Sequence, residues 1–153
     1  MKTELDILLP VFNEAEYIEE LLKGIDKAIK KKIKYKFLIC EDGSTDGTKE
    51  ILKKLKKKYL IKLIAGKKRK GFSRAVQDGI KKAESDYLLM MDSDGQCDFS
   101  NILKFWKYRS HFDSINAFRK KRIDYAYRKV FSNMCYIFYQ LFSFHLSILY
   151  VKN

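Results

Sequence analysis

The chain has 153 residues, 46% of them hydrophobic and 33% charged, which suits one globular domain with a substantial core. A formal net charge of +13 favours anionic partners such as phosphates or an acidic membrane face. Three scattered cysteines, Cys40, Cys97 and Cys135, exclude a disulfide framework or a paired-cysteine zinc site and imply a reducing, cytoplasmic setting. The N-terminus lacks the basic-then-apolar layout of a secretory signal. No linker, internal repeat or domain boundary interrupts the chain, so residues 1–153 read as a single domain. Nothing in it matches a helix-turn-helix, a zinc finger or an RNA-binding aromatic motif, so nucleic acid is not an expected partner.

In chain order, Leu5 to Phe12 reads as a buried strand with Pro10, the only proline, near its end. Asn13 to Lys32 predicts a helix, because Ile18, Leu21, Leu22, Ile25 and Ile29 recur at three-and-four spacing. Asn13 is placed as its N-cap, with Glu14 and Glu16 at the positive end. Tyr35 to Cys40 is a second strand. It runs into Glu41-Asp42-Gly43-Ser44-Thr45-Asp46-Gly47-Thr48, a dense turn and helix-start signal. Lys49 to Tyr59 is a second helix and Leu60 to Ala65 a third strand. A basic loop, Gly66-Lys67-Lys68-Arg69-Lys70-Gly71, follows. Phe72 to Glu84 is a third helix, with Phe72, Ala75, Val76, Ile80 and Ala83 on one stripe. Two lysine clusters, Lys30 to Lys34 and Lys53 to Lys58, read as solvated helix faces and cations at helix C-termini.

Tyr87 to Met91 is an apolar fourth strand that ends in Asp92, Asp94 and Asp98. Asp92 and Asp94 are two apart and on extended backbone point the same way. With Gln96 they form an all-oxygen set suited to Mg²⁺ or Mn²⁺ rather than zinc. Phe99 to Arg109 predicts a fourth helix with Ile102, Leu103 and Trp106 inward, and Ser114 to Phe118 a short strand. Arg119-Lys120-Lys121-Arg122 is a basic turn. Asp124 to Phe142 predicts an aromatic-rich helix. Residues 130–151 carry no formal charge, but their polar side chains and weak aliphatic content favour a core or interfacial helix over a membrane span.

Four strand-then-helix alternations make an α/β fold with a largely parallel sheet flanked by helices. Ligands of such sheets sit beyond the carboxyl ends of the strands. Asn13 and Glu14, Asp42 and Ser44, and Asp92 and Asp94 all follow strands at that edge, which predicts one shared acidic pocket.

Four stretches in this order resemble the family 2 glycosyltransferases, in particular the group that loads a sugar onto a polyprenyl phosphate. They are Leu9-Pro10-Val11-Phe12-Asn13-Glu14, Glu41 to Thr48, Gly71-Phe72-Ser73-Arg74-Ala75, and Met91-Asp92-Ser93-Asp94-Gly95-Gln96. A looser fifth match is Arg119 to Asp124 with Arg128 and Ser132. The resemblance implies the GT-A fold, a Rossmann-like nucleotide-sugar-binding domain. It implies that Pro10, Phe12, Asn13 and Glu14 border the nucleotide and that Asp42 contacts the base. Asp92, Asp94 and Gln96 would hold the metal on the donor diphosphate, with Ser93 and Lys70 in the same donor site. Asp94 and Arg119 are the catalytic candidates, Arg119 lying near the donor phosphates or the acceptor phosphate. Glu41 stands where Asp is common and Phe99 where Pro is common. Neither change removes an implied ligand.

The implied reaction moves a sugar from a nucleoside-diphosphate sugar to a polyprenyl phosphate or another glycan or lipid acceptor, on the cytosolic face of a membrane. A phosphate nucleophile is already anionic and needs cations that position it. Arg119, Arg122 and Arg128 suit that task. A sugar-1-phosphate nucleotidyltransferase would need a Gly- and Arg-rich loop after the first strand, and Asn13-Glu14-Ala15-Glu16 is not one. The other reading is a nucleotide-sugar-binding remnant without transfer activity. The resembled family also continues past the last match, so the chain is expected to be short at its C-terminus, with the donor half present and the acceptor half largely missing.

Overall fold

The computed structural model describes residues 3–93 and 99–117. Four strands, β1 (Leu5–Val11), β2 (Tyr35–Glu41), β3 (Ile61–Ala65) and β4 (Tyr87–Met90), alternate with four helices. The helices are α1 (Ile18–Ile29), α2 (Thr48–Leu55), α3 (Phe72–Ile80) and α4 (Ser100–Tyr108). The strands form one parallel sheet in the order β3-β2-β1-β4. This is the α/β architecture the alternation predicts. Residues 118–153 lie outside the described set, and with them the expected basic turn and aromatic helix. Ala117 forms only an isolated bridge, so the strand expected over 114–118 is not present as far as the chain is described.

Burial on both faces explains the near-continuous apolar strands. Alternate residues Ile7, Leu9, Val11, Phe37 and Ile39 face a core closed by α1, α2 and α4. Leu8, Leu38, Cys40 and Met90 face the other way, toward Ala75 of α3. Gly79 lets α3 approach closely: a Cβ there would fall 2.3 Å from Leu8 Cδ1 and 2.6 Å from Cys40 Sγ. Gly24 does the same for α1, where the Phe99 ring occupies the space a side chain would need. The residue that departs from the expected Pro is thus a packing element. Cys40 is buried, and that burial pushes its thiol up to about 12, so it acts as a small apolar group.

Helix boundaries differ from the periodicity reading where side chains intervene. Helix α1 starts at Ile18, not Asn13, and its first-turn acids are Glu19 and Glu20 rather than Glu14 and Glu16. Asn13 is no cap. It sits at φ 55, a left-handed position Asn tolerates, with its side chain bonded to another loop. Helix α3 ends at Ile80, which is exposed, and Phe72 is exposed rather than part of the buried stripe. Among the described residues no helix is long and apolar enough to cross a membrane.

At the opposite end of the sheet, Asp6 is fully buried and anchors the connector into β4. Its carboxylate accepts the Glu84 N–H at 2.7 Å, the Ser85 N–H at 3.2 Å and the Ser85 hydroxyl at 2.6 Å. Lys36 lies 3.6 Å from it and 2.7 Å from Glu84, and Lys62 also pairs with Glu84. Hydrogen bonds from Lys36 and then Lys62 hold the Glu84 carboxyl down at about 2, against 4.5 when unperturbed. A depressed folded pKa gives stability that is complete above the unfolded value and is lost as pH falls toward the folded one. Replacing Glu84 by Gln should therefore flatten the fall in unfolding free energy between pH 4.5 and 2 in urea titrations. Gly79→Val, by contrast, should overpack α3 against the sheet and cost about 1–3 kcal/mol at neutral pH, read as a lower urea midpoint.

Candidate active site

The carboxyl ends of β1, β2 and β4 and the loop after β3 enclose a cleft of about 310 Å³. Its lining includes Pro10, Val11 and Phe12 after β1, Asp42 after β2, Arg69 from the basic loop, and Asp92 and Ser93 after β4. Glu14, Phe72 and Ala75 complete it. The shared acidic pocket predicted from the strand ends is thus formed by Glu14, Asp42 and Asp92.

Hydrogen bonds from side chains to backbone hold the loops in place. Asp42 is buried. Its Oδ1 accepts the Lys70 N–H at 2.7 Å and its Oδ2 the Gly71 N–H at 2.8 Å. The basic loop is thereby fastened to the end of β2. Gly43 makes room for this, since at φ 81 a Cβ would lie 2.7 Å from the Arg69 nitrogen. The loop after β1 is tied to the loop after β2 at four points. Asn13 N–H donates to Ser44 Oγ at 3.0 Å, and Asn13 Oδ1 accepts Thr45 N–H at 2.9 Å. Glu14 N–H donates to Thr48 Oγ1 at 3.0 Å, and Ala15 N–H to Asp46 Oδ2 at 2.9 Å. Burial pushes the Asp46 carboxyl up, but hydrogen bonds from the Thr48 hydroxyl and the Ala15 and Thr48 N–H groups outweigh it and leave the group below its ordinary range. Glu41, buried, accepts the Ser44 N–H, and Lys49 Nζ stands 3.5 Å from its second oxygen. Ser93 donates to the Pro10 carbonyl at 2.9 Å, which joins the end of β4 to β1, with Glu14 Oε1 at 3.4 Å.

The structure places the sequence-derived residues unevenly. Pro10, Phe12, Glu14, Asp42, Asp92 and Ser93 share the cleft. Asn13 stands beside it as a loop tie. Lys70 does not line it: its ammonium pairs with Asp78 on α3 at 2.8 Å, and this contact raises the Lys70 pKa. Asp94, Gln96 and Arg119 lie outside the described residues. Arg69, which the sequence reading passed over, is the one cation lining the cleft among the described residues, its guanidinium carbon 4.0 Å from the centroid of the Phe12 ring. The signal was the run of four cations before Gly71. The pattern did not say which of them turns inward, because that is settled by Asp42 gripping the next two amides.

A planar aromatic shelf, one guanidinium and three carboxylates in one cleft suit a ligand with a flat base and an anionic tail bridged by a cation. Oxygen donors of this kind fit a hard divalent ion. Among the described residues no group of three His, Cys, Asp or Glu side chains forms a complete metal cage. Asp92 is the described member of the expected set.

A parallel sheet that carries such a cleft at its carboxyl edge is the arrangement of α/β nucleotide-binding folds, and the GT-A glycosyltransferases are one class of them. A family model described as Glycosyl transferase family 2 matches residues 6–145, and the chain belongs to that family. A dolichol-phosphate mannosyltransferase of Pyrococcus furiosus is 38% identical over 93 residues, 61% of this chain and 26% of that protein. The chain therefore spans about a quarter of that relative's length. Two solved structures share the fold. S. aureus TarS 1-349 in complex with UDP-GlcNAc superposes with a TM-score of 0.64 at 23% identity, covering 82% of this chain and 38% of that one. The mannosyltransferase PcManGT from Pyrobaculum calidifontis, in complex with GDP-Man and Mn²⁺, gives 0.55 at 23% identity, covering 61% and 28%.

Asp42→Asn would set an amide N–H₂ against one of the two backbone donors it now accepts. Amide exchange at Lys70 and Gly71 should speed up at least about tenfold, while amides of β1 stay protected.

Proposed function

We propose that this chain binds a nucleoside-diphosphate sugar in the cleft and transfers the sugar to a polyprenyl phosphate or a related acceptor. The observation that carries the reading is the convergence of the Phe12–Arg69 pair with Asp42, Glu14 and Asp92 at one strand edge. The family assignment and the name of the Pyrococcus relative support the choice of reaction and of a lipid phosphate acceptor.

Phe12 offers its ring to the base. Asp42 keeps acceptor capacity on each oxygen beyond the N–H it already accepts, and so can take a base N–H. Arg69 supplies a fixed positive charge beside that base and toward the diphosphate. Asp92 and Asp94, with Gln96, are the residues that would hold Mg²⁺ or Mn²⁺, which supplies charge neutralisation to the departing diphosphate. The acceptor phosphate oxygen forms the new bond to the sugar carbon as the bond to the diphosphate oxygen breaks, and the nucleoside diphosphate leaves. No general base is required, since that oxygen is anionic near neutral pH. Arg119 is assigned to orient it, because a guanidinium fork matches phosphate geometry. Such positioning accounts for much of the barrier lowering in reactions of this class.

The test is a thermal-shift screen of nucleotides and nucleotide sugars with and without Mn²⁺. Wild type should show a Mn²⁺-dependent rise in unfolding temperature with one nucleoside diphosphate. Asp92→Asn with Asp94→Asn should remove that dependence and leave the ligand-free unfolding temperature equal or higher, because two neighbouring carboxylates repel. Unchanged metal-dependent affinity in the double variant would overturn the metal assignment. Mn²⁺-dependent binding without sugar transfer to a polyprenyl phosphate would favour the binding-only reading.

A further inference from the structure

The ring face that Phe12 would offer to a base is already covered. The Arg69 guanidinium carbon lies 4.0 Å from the centroid of that ring. Flat groups in contact sit about 3.5–4 Å apart, so the guanidinium fills the layer that a stacked base would take. Both residues line the cleft, and the contact therefore sits where a ligand would enter. A base and this guanidinium cannot share one face of one ring.

A held backbone carries a movable side chain here. Asp42 accepts the Lys70 and Gly71 amides, and a Cβ on Gly43 would fall 2.7 Å from the Arg69 nitrogen, so the main chain at Arg69 has little room to shift. The Arg69 side chain is exposed, whereas Phe12 is half-buried. Among the described residues the guanidinium forms no ion pair with a carboxylate. Asp42, in the same cleft, already accepts a loop N–H on each oxygen. The aromatic face is the partner the guanidinium takes instead, as a weakly hydrated planar cation does. Lys70 does not duplicate it, since its ammonium is paired with Asp78. The charge of Arg69 is permanent, but its position depends on one cation–π contact.

We propose that Arg69 makes the cleft selective for a nucleoside diphosphate over the bare nucleoside, because the base reaches Phe12 only when the guanidinium leaves it. This rests on the reading of the cleft as a nucleoside-diphosphate-sugar site. A nucleoside gives the displaced cation no new partner, so its apparent affinity is lowered by the fraction of time the ring is covered. A diphosphate brings an anion that matches the guanidinium fork into the same cleft. The tail therefore draws away the side chain that blocks the base. Base and phosphates bind cooperatively through one cation, and each half binds weakly without the other. The selectivity needs no contact between Arg69 and the base itself.

The test is an NMR titration of the full chain with guanosine and GDP, and with uridine and UDP, at constant Mg²⁺. For the pair whose diphosphate binds, Arg69→Ala should bind the nucleoside about two- to fivefold more tightly, since the competing contact is gone. It should bind the diphosphate at least about tenfold more weakly, since a charged hydrogen-bond partner is gone. Arg69→Gln supplies a second variant should Ala disturb the loop. In a Phe12→Leu background the nucleoside gain should vanish, because no ring remains to be uncovered. The wild-type Arg69 δ-methylene signals should lie upfield under the Phe12 ring and move downfield when the diphosphate is added. Equal or weaker nucleoside binding by Arg69→Ala would overturn the proposal, the weaker value showing that the base stacks on the guanidinium in place. So would Arg69 signals that stay upfield with the diphosphate bound. A wild-type chain that binds neither diphosphate would overturn the nucleotide-site reading itself, and this proposal with it.

Discussion

Asp42 holds the cleft together. One buried carboxylate at the end of β2 accepts the amides of Lys70 and Gly71, and so fixes where the basic loop ends and α3 begins. Charge-assisted bonds to backbone N–H groups are stronger than neutral ones. They also decide direction. With two successive amides pinned, Lys70 is carried out to Asp78 and Arg69 in toward Phe12. The electrostatics of the cleft therefore depend on a residue whose own oxygens are already engaged by the loop it positions. Gly43 is the steric condition for this arrangement, because any side chain there would displace the Arg69 backbone.

The loop after β1 obeys the same logic. Asn13, Ser44, Thr45, Asp46 and Thr48 satisfy each other's backbone groups across two loops. Residues with short polar side chains do this readily, which is why they crowd turns and helix starts. The same chemistry makes them ambiguous in sequence. Asn13 followed by Glu14 and Glu16 looks like a helix start, and the helical stripe from Ile18 onward supports an early beginning. The structure spends Asn13 on a tertiary bond to Thr45 and delays the helix by more than a turn. A local pattern does not reveal that a cap-type side chain has a distant partner.

The sheet and its carboxyl edge were legible because both faces of the central strand β1 and of most of β2 are covered, so apolar runs and strand ends stand out. Six of the residues singled out from sequence, Pro10, Phe12, Glu14, Asp42, Asp92 and Ser93, meet in one cleft. Arg69 was not legible because four adjacent cations are equivalent until a fixed backbone distinguishes them. Phe72 misled for a related reason. It falls on the apolar stripe of α3, yet it stands at the first turn, where the helix overhangs the cleft, and is 53% exposed. Periodicity reports which side of a helix a residue occupies, and not whether the neighbouring element extends far enough to cover it.

The far edge of the sheet is basic, whereas the cleft edge mixes carboxylates with the basic loop Lys67 to Lys70, and the helix dipoles explain part of this pattern. Every helix described here begins near the cleft and ends at the far edge. Helix dipoles place partial positive charge at the first and partial negative charge at the second. Carboxylates at the cleft and lysines beyond the helix ends both complement those dipoles. This is the physical content of reading the lysine clusters as helix-terminal cations, and it remains correct. A dipole asks for only one or two cations per helix end, however, and the effect fades within a turn. Lys31 and Lys32, like Lys57 and Lys58, lie in hydrogen-bonded turns that close the helices, with Ile33 N–H bonded to Ile29 O and Tyr59 N–H to Leu55 O, so each of these helix ends carries more cations than that. Their mutual repulsion works against the folded state, since the parallel topology crowds these clusters onto one edge. Helix stabilisation explains the first lysine of each cluster, and solvation of long charged side chains keeps the remainder at the surface.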